Sequence, residues 1–355
     1  MNIYAVIMAG GVGSRFWPRS KEKKPKQLLR IFGENTMIQD TVARVKDFIT
    51  NENIFIITNE VQREKIIQQL SEIPVENIVA EPFGRNTAAC IGLAAILVAH
   101  KDPNAVIVNL PADHLIKNIE IFKDTIKLAA EFASNSKGIV TIGINPTRPE
   151  TGYGYIQIND EVNKEGVYKV KTFAEKPNYE TAVNFLESGD FLWNSGMFIC
   201  RVDAILSEIK KYLPDLHLGL EEIKAGIGKN NYIEILKRVY GQLKSISIDY
   251  GVMEKSEFVY LVKGNFEWSD VGSWEEVYKL SEKDNSGNAV NGDVYVDKSF
   301  DSYIYSPDKF TAVIGVNDLI VVNTKSALLI CNRNNSQDVK QIIDYLKLKE
   351  KDELL

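Results

Sequence analysis

The feature that most constrains this chain is a repeated alternation over its first 145 residues. Short runs rich in Ile and Val at 3–9, 54–58, 77–80, 105–110 and 138–144 read as strands. Between them, 37–48, 61–70, 87–100 and 122–133 carry apolar residues at the three-to-four spacing of helices. Strands that are apolar on both faces, each followed by a helix, predict an α/β fold. Its core would be a Rossmann-like, mostly parallel sheet covered by helices. In such sheets ligands bind where strands end at their carboxyl side, so the residues just after each run are the candidates for function.

Beyond residue 146 the pattern is mixed. Strands are expected at 153–158, 167–173, 194–200 and 258–263, with a helix at 179–188 and several more before residue 258. The turn-rich NSGNAVNGD at 285–293 marks a domain boundary. It divides a large domain, 1–284, from a small one, 285–355. The small one reads as short strands at 293–296, 302–306, 311–316, 319–323 and 327–331, closed by a helix from 337. Their even spacing resembles part of a β-helix, without a strict hexapeptide repeat.

The first strand runs into GGVGSRFWPRSKEKKPKQL, residues 10–28, a long loop for this place in a sheet. Gly10, Gly11 and Gly13 let backbone N–H groups approach an anion closely. From Arg15 to Arg30 seven basic residues meet one acid, a local charge of +6 in a chain whose net charge is −6. That reversal points to a phosphate-rich ligand. The glycines match neither the dinucleotide fingerprint, where Phe16 stands in place of the third Gly, nor the P-loop. Arg15 and Lys26, beside Gly and Pro constraints, are the best candidates for phosphate contact. Lys21, Lys23 and Lys24 read as solvated.

Composition excludes several classes. The net acidity argues against a nucleic-acid binder. Three Cys, far apart, and three His provide neither a disulfide framework nor a thiolate or histidine metal site. No apolar run approaches the roughly 18 residues of a membrane span. The start of the chain reads as a strand rather than a secretion signal, and KDEL at 351–354 is followed by Leu355. A cytoplasmic protein without membrane or nucleic-acid partners is expected.

The loop GGVGSRFWPRS…PKQ resembles the signature of the sugar-1-phosphate nucleotidylyltransferases, and within them the mannose-1-phosphate guanylyltransferase group. The likeness continues in EPFGRNTA (81–88), PADH (111–114), TGYGYI (151–156), FAEKP (173–177), WNSGMF (193–198), IDYGVMEK (248–255) and WSDVGSW (268–274). These lie in the family's order across most of residues 1–280. Ser14, Phe16 and Ala89 depart from the commoner residues without removing a charged group.

The resemblance implies transfer of GMP from GTP to mannose 1-phosphate with release of pyrophosphate. Such chemistry needs charge neutralisation and in-line positioning. The sugar phosphate is already mostly a dianion near neutral pH, so no general base is required. The same resemblance brings Asp113 and Asp270 together as Mg2+ ligands, Asp113 also touching the nucleotide; singly, an Asp after a strand is more often a turn or cap. His114 either holds Asp113 or the nucleotide, or makes a structural bond.

Glu81 follows a strand, and a carboxylate accepts both guanine donors, N1–H and the 2-amino group. We expect Glu81 to read the base, helped by Arg85, Asn86 and backbone at Ala9 and Gly10; a Glu81–Arg85 ion pair is the alternative. By resemblance Glu175 takes sugar hydroxyls, Lys176 the sugar phosphate and Asn194 a further hydroxyl, with Gly154 admitting the sugar; in isolation Glu175 and Lys176 read as a surface pair. Asp249 and Glu254 either support this group or are structural. A homodimer is implied by resemblance alone. Some relatives carry a further domain with phosphomannose isomerase activity, for which the β tail is too small, so no isomerase activity is expected. Rival readings keep the chemistry with another hexose phosphate or nucleotide, or make the chain a silent nucleotide-binding homologue, which should have lost Arg15, Lys26, Asp113 or Asp270.

Overall fold

The aliphatic runs near the N-terminus form the strands Ile3–Met8, Ile54–Asn59, Ile78–Glu81, Val106–Pro111 and Ile139–Ile144. The structure is a computed structural model that describes residues 1–164 and 166–355. Its contacts divide the chain into two units. One comprises Met1–Gly10, Thr41–Ala112 and Ile116–Trp268, the other Gly11–Asp40, Asp113–Leu115 and Ser269–Leu355.

The first unit is built on a nine-stranded sheet. Its first four strands in space, Ile78–Glu81, Ile54–Asn59, Ile3–Met8 and Val106–Pro111, are parallel, with Ala5 opposite both Ile54 and Val108. Because they run the same way, Asn59 pairs with Glu81 and Met8 with Pro111 along one edge, where the strands end. The helix Asn86–Lys101 is apolar nearly all round, with Ala88 to Ile96 buried without a break. It can be so because it lies between the sheet and the helices Val202–Tyr212 and Pro214–Gly226, in one continuous core. The sheet then turns mixed. Phe191–Arg201 runs antiparallel between Val106–Pro111 and Ile139–Ile144, Val259–Lys263 runs parallel to Ile139–Ile144, and Val167–Ala174 and Tyr155–Lys164 complete the edge.

The second unit joins residues from the two ends of the chain. Phe16 and Trp17, from the basic loop, pack with Trp274, Tyr303, Ile320 and Val322. The Phe16 and Trp274 rings lie 5.0 Å apart, and the Trp274 indole N–H donates to the Trp17 carbonyl at 3.1 Å. A division at residue 284 keeps the loop and Trp274 on one side and puts Tyr303, Ile320 and Val322 on the other, whereas the contact grouping holds all of them together.

The tail is a four-stranded sheet. Ala289–Asp297, Tyr303–Ile314 and Leu319–Asn323 stack in parallel, as coils of a β-helix do, and Leu328–Asn332 returns antiparallel. The two short strands expected at 302–306 and 311–316 are one strand. Its ladder slips between Gly292 and Val294, which absorbs the residues around Pro307 that read as a turn. The helix Lys340–Leu348 ends the unit, after a short turn of helix. Among the described residues no helix is long and apolar enough to cross a membrane.

Candidate active site

In the second unit the basic loop is folded tightly on itself. Gly13 sits at φ 66, and a Cβ there would fall 2.6 Å from that of Lys26, so only glycine fits. Ser20 donates to the Val12 carbonyl at 2.6 Å, and the Gln27 amide to Gly11 at 2.9 Å. Lys26 is only 4% exposed. An ammonium buried that far must be paired. Its Nζ lies 2.9 Å from Asp113 Oδ2 and also donates to the Asp270 carbonyl, so a single cation ties both candidate metal-binding residues.

Burial alone would push the Asp113 carboxyl up, but the Lys26 ammonium and the neighbouring His114 outweigh it and hold Asp113 below the usual carboxylate range. Asp113 is therefore an ionised, hard oxygen donor. Beside Asp270, Val271 is held at φ 49, unusual for a β-branched residue and costing about 1–3 kcal/mol. Gly272 leaves room for the Asp270 carboxylate, since a Cβ there would lie 3.0 Å from Oδ2.

The other basic residues divide. Arg15 is exposed on the turn Ser14–Phe16. Arg19 donates to the Arg30 carbonyl and stacks 4.0 Å over Tyr305, and Lys21 donates to the Glu353 carbonyl at 2.8 Å, so these two are structural.

In the first unit Glu81 is 6% exposed at the end of its strand. The Tyr240 hydroxyl donates to Oε1 at 3.1 Å, and Gly10 lies beside Oε2, where a Cβ would sit 3.6 Å away. Burial raises the carboxyl from an ordinary 4.5 to about 7, with the Tyr240 bond pulling the other way. The alternative ion pair with Arg85 is not formed. Arg85 gives Nε to the Tyr240 carbonyl at 2.7 Å and a terminal nitrogen to Gly241 at 3.0 Å, closing the last turn of the helix Tyr232–Gln242. Asn86, at φ 65, accepts from the Thr87 amide at 2.8 Å. Ala9 has its amide on Ile57 and its carbonyl on Thr58, which leaves Gly10 as the more open backbone.

The residues expected to hold the sugar also gather in the first unit. The Glu175 side chain is 6% exposed, and its Oε1 lies 2.7 Å from the half-exposed Lys176 ammonium. Its Oε2 is buried without a hydrogen-bond partner. Gly154 leaves the room for it, because a Cβ at 154 would stand 2.5 Å from that oxygen. Asn194 accepts from Thr141 at 3.1 Å and donates to Asp249 at 2.9 Å. Asp249 is pushed up to about 6 by burial and by the charge of Glu175. Glu254 accepts the Glu175 amide at 3.0 Å, a supporting role. An unpartnered carboxylate oxygen next to a second carboxylate is an arrangement for donors such as sugar hydroxyls.

Residues 4–287 match the nucleotidyl transferase family, and residues 292–346 the MannoseP isomerase/GMP-like beta-helix domain. The chain belongs to the nucleotidyl transferase family. As a nucleotidyltransferase it has relatives along nearly its whole length. It is 42% identical over 356 residues to a mannose-1-phosphate guanylyltransferase of Escherichia coli, covering 98% of this chain and 74% of that protein. A protein of the same name from Klebsiella pneumoniae is 41% identical over 358 residues, again with 98% and 74% covered.

Among solved structures, one described as a mannose-1-phosphate geranyltransferase from Thermus thermophilus superposes with a TM-score of 0.89 at 31% identity, over 98% of this chain and 100% of that one. A mannose-6-phosphate isomerase from Helicobacter pylori follows at 0.62 and 27%, over 76% of this chain and 100% of that one. Sequence reading missed Tyr240: in an amphipathic helix a buried tyrosine is indistinguishable from a core aromatic, and nothing local marks its hydroxyl.

Proposed function

We propose that this nucleotidyltransferase moves GMP from GTP to mannose 1-phosphate, releasing pyrophosphate. One observation carries the reading: buried Lys26 ties the Asp113 carboxylate to the backbone carbonyl of Asp270, in the unit that also holds Gly11 and Gly13 of the glycine loop. A phosphate oxygen of the sugar phosphate attacks the α-phosphorus of GTP. As that bond forms, the bond from the α-phosphorus to the bridging oxygen breaks and pyrophosphate leaves with the electron pair. The nucleophile arrives ionised, so no side chain removes a proton. Arg15 and Lys26, with the backbone of Gly10, Gly11 and Gly13, bind the triphosphate and offset charge that grows in the transition state.

Asp113 and Asp270 are the residues that would hold Mg2+, an ion that takes one or two carboxylates together with phosphate oxygens. When bound there it supplies charge neutralisation to the reacting phosphates. Two carboxylates of the second unit, one of them kept ionised by Lys26, suit that ion. Glu81 reads guanine with Asn86 beside it, and Arg85, engaged by the Tyr240 and Gly241 carbonyls, assists only by holding that helix end. Glu175, Lys176 and Asn194 take the sugar phosphate, with Gly154 leaving room for the Glu175 carboxylate. The names of the relatives support mannose as the sugar. We assign catalysis to residues 1–284 and a supporting role to 285–355, in a cytoplasmic homodimer.

The test is pyrophosphate release with GTP or ATP, each against mannose 1-phosphate and glucose 1-phosphate, with and without Mg2+. Metal-dependent release fastest with GTP and mannose 1-phosphate is the expected result. Release with no pair would end the enzyme reading; a preference for another pair would move it to another sugar nucleotide.

A further inference from the structure

We infer that Tyr240 is a specificity-positioning residue, holding one oxygen of Glu81 so that the carboxylate is presented to the nucleotide base in a fixed plane. The inference deepens the assignment of Glu81 to guanine and rests on it. Tyr240 is fully buried, and its hydroxyl lies 3.1 Å from Glu81 Oε1 and 3.4 Å from the Ala89 carbonyl. It has little freedom to move away. The Tyr240 and Gly241 carbonyls are clamped by Arg85, four residues beyond Glu81 in the same connection. The loop that carries Glu81 thus grips the end of the helix whose tyrosine grips Glu81 in return.

The chemistry follows from what each group can offer. With Arg85 spent on carbonyls, the groups that face Glu81 are the Tyr240 hydroxyl and the Cys90 thiol, with the Tyr232 hydroxyl behind Tyr240. The thiol and both phenols are pushed up by burial and stay neutral, so none repays the carboxylate's charge. Tyr240 is the donor that favours the ionised form. An ionised carboxylate only accepts, which suits guanine's N1–H and 2-amino donors. It meets an unpaired acceptor at N1 of adenine. The Tyr240 bond therefore acts on both the orientation of the reader and the fraction in which it can read.

Tyr240→Phe keeps the ring in the core and removes only the hydroxyl. In the protein at pH 7.5, the kcat/KM ratio of GTP to ATP should fall about tenfold, the scale of one hydrogen bond to a charged group. The acidic limb of the GTP profile should move to higher pH, while KM for mannose 1-phosphate stays within about twofold, the spread expected of a distant, uncoupled site. The Glu81→Gln protein supplies the reference. In that background adding Tyr240→Phe should change the GTP to ATP ratio less than about twofold, because the hydroxyl has lost the charge it acts on.

Calorimetric GTP affinity and a melting curve for each protein accompany the kinetics, so that a loss of fold is not mistaken for a loss of recognition. An unchanged ratio and limb in Tyr240→Phe, or an equal loss in both backgrounds, would overturn the role of Tyr240 while leaving Glu81 as the reader. An unchanged ratio in Glu81→Gln alone would overturn the reading of Glu81, and the inference with it.

Discussion

Replacing Glu81 by Gln should make the protein more stable at alkaline pH while weakening its use of GTP. The magnitude comes from the carboxyl's surroundings. Burial raises it from 4.5 to about 7, which at roughly 1.4 kcal/mol per pH unit is about 3 kcal/mol. The sign is set by which state binds the proton more tightly. Between pH 4.5 and 7 the folded chain keeps a proton on Glu81 that the unfolded chain has released, so stability falls as pH rises through this window. Below it both states are protonated and the cost vanishes; above it both are ionised and the cost is complete. Gln carries none of it and still accepts from Tyr240.

The assay is denaturant unfolding of both proteins at pH 5 and pH 8, followed by the fluorescence of the tryptophans. Asp249, raised to about 6, titrates in the same window but is common to both proteins and cancels in the difference. The advantage of the variant should be small at pH 5 and grow by up to about 3 kcal/mol at pH 8. A difference that is flat with pH would refute the burial argument, whatever the kinetics show.

Three further outcomes are expected. Gly154→Ala should raise KM for mannose 1-phosphate at least about tenfold, with KM for GTP nearly unchanged, because the new methyl stands 2.5 Å from Glu175 Oε2; equal effects on both substrates in steady-state kinetics would contradict it. Lys26→Met should lower kcat by about 10²–10³ and let the Asp113 carboxyl rise, so that residual activity fades at a higher pH on acidification than in the wild type, read from a kcat–pH profile. Purified protein should not interconvert fructose 6-phosphate and mannose 6-phosphate, despite its likeness to an isomerase structure; turnover in a coupled assay would show a second activity.

Legibility in the sequence followed the range of the interactions. The parallel strands could be read because Ile3–Met8 and its neighbours are aliphatic on both faces, a signal contained in each segment. Gly13 and Lys26 stood out because a glycine loop and a charge reversal are local. What escaped was pairing at long separation. That Arg85 serves Tyr240 and Gly241, more than 150 residues away, rather than the nearby Glu81 has no local mark. The slip opposite Pro307 was hidden by a proline that reads as the end of a strand. The association of the basic loop with the tail was hidden too, since Phe16 and Trp17 look like any apolar residues in a loop.

That association has a consequence for how the chain is made. Trp274 and Tyr303, against which Phe16 and Trp17 pack, are synthesised more than 250 residues after them. At about 5–20 residues per second the delay is roughly 10–50 s. The sheet of the first unit can assemble meanwhile, with a basic, tryptophan-bearing segment still waiting for its cover. Until then the basic glycine loop lacks the aromatic residues against which it packs, and their synthesis both closes the second core and brings the Asp270 carbonyl that Lys26 contacts.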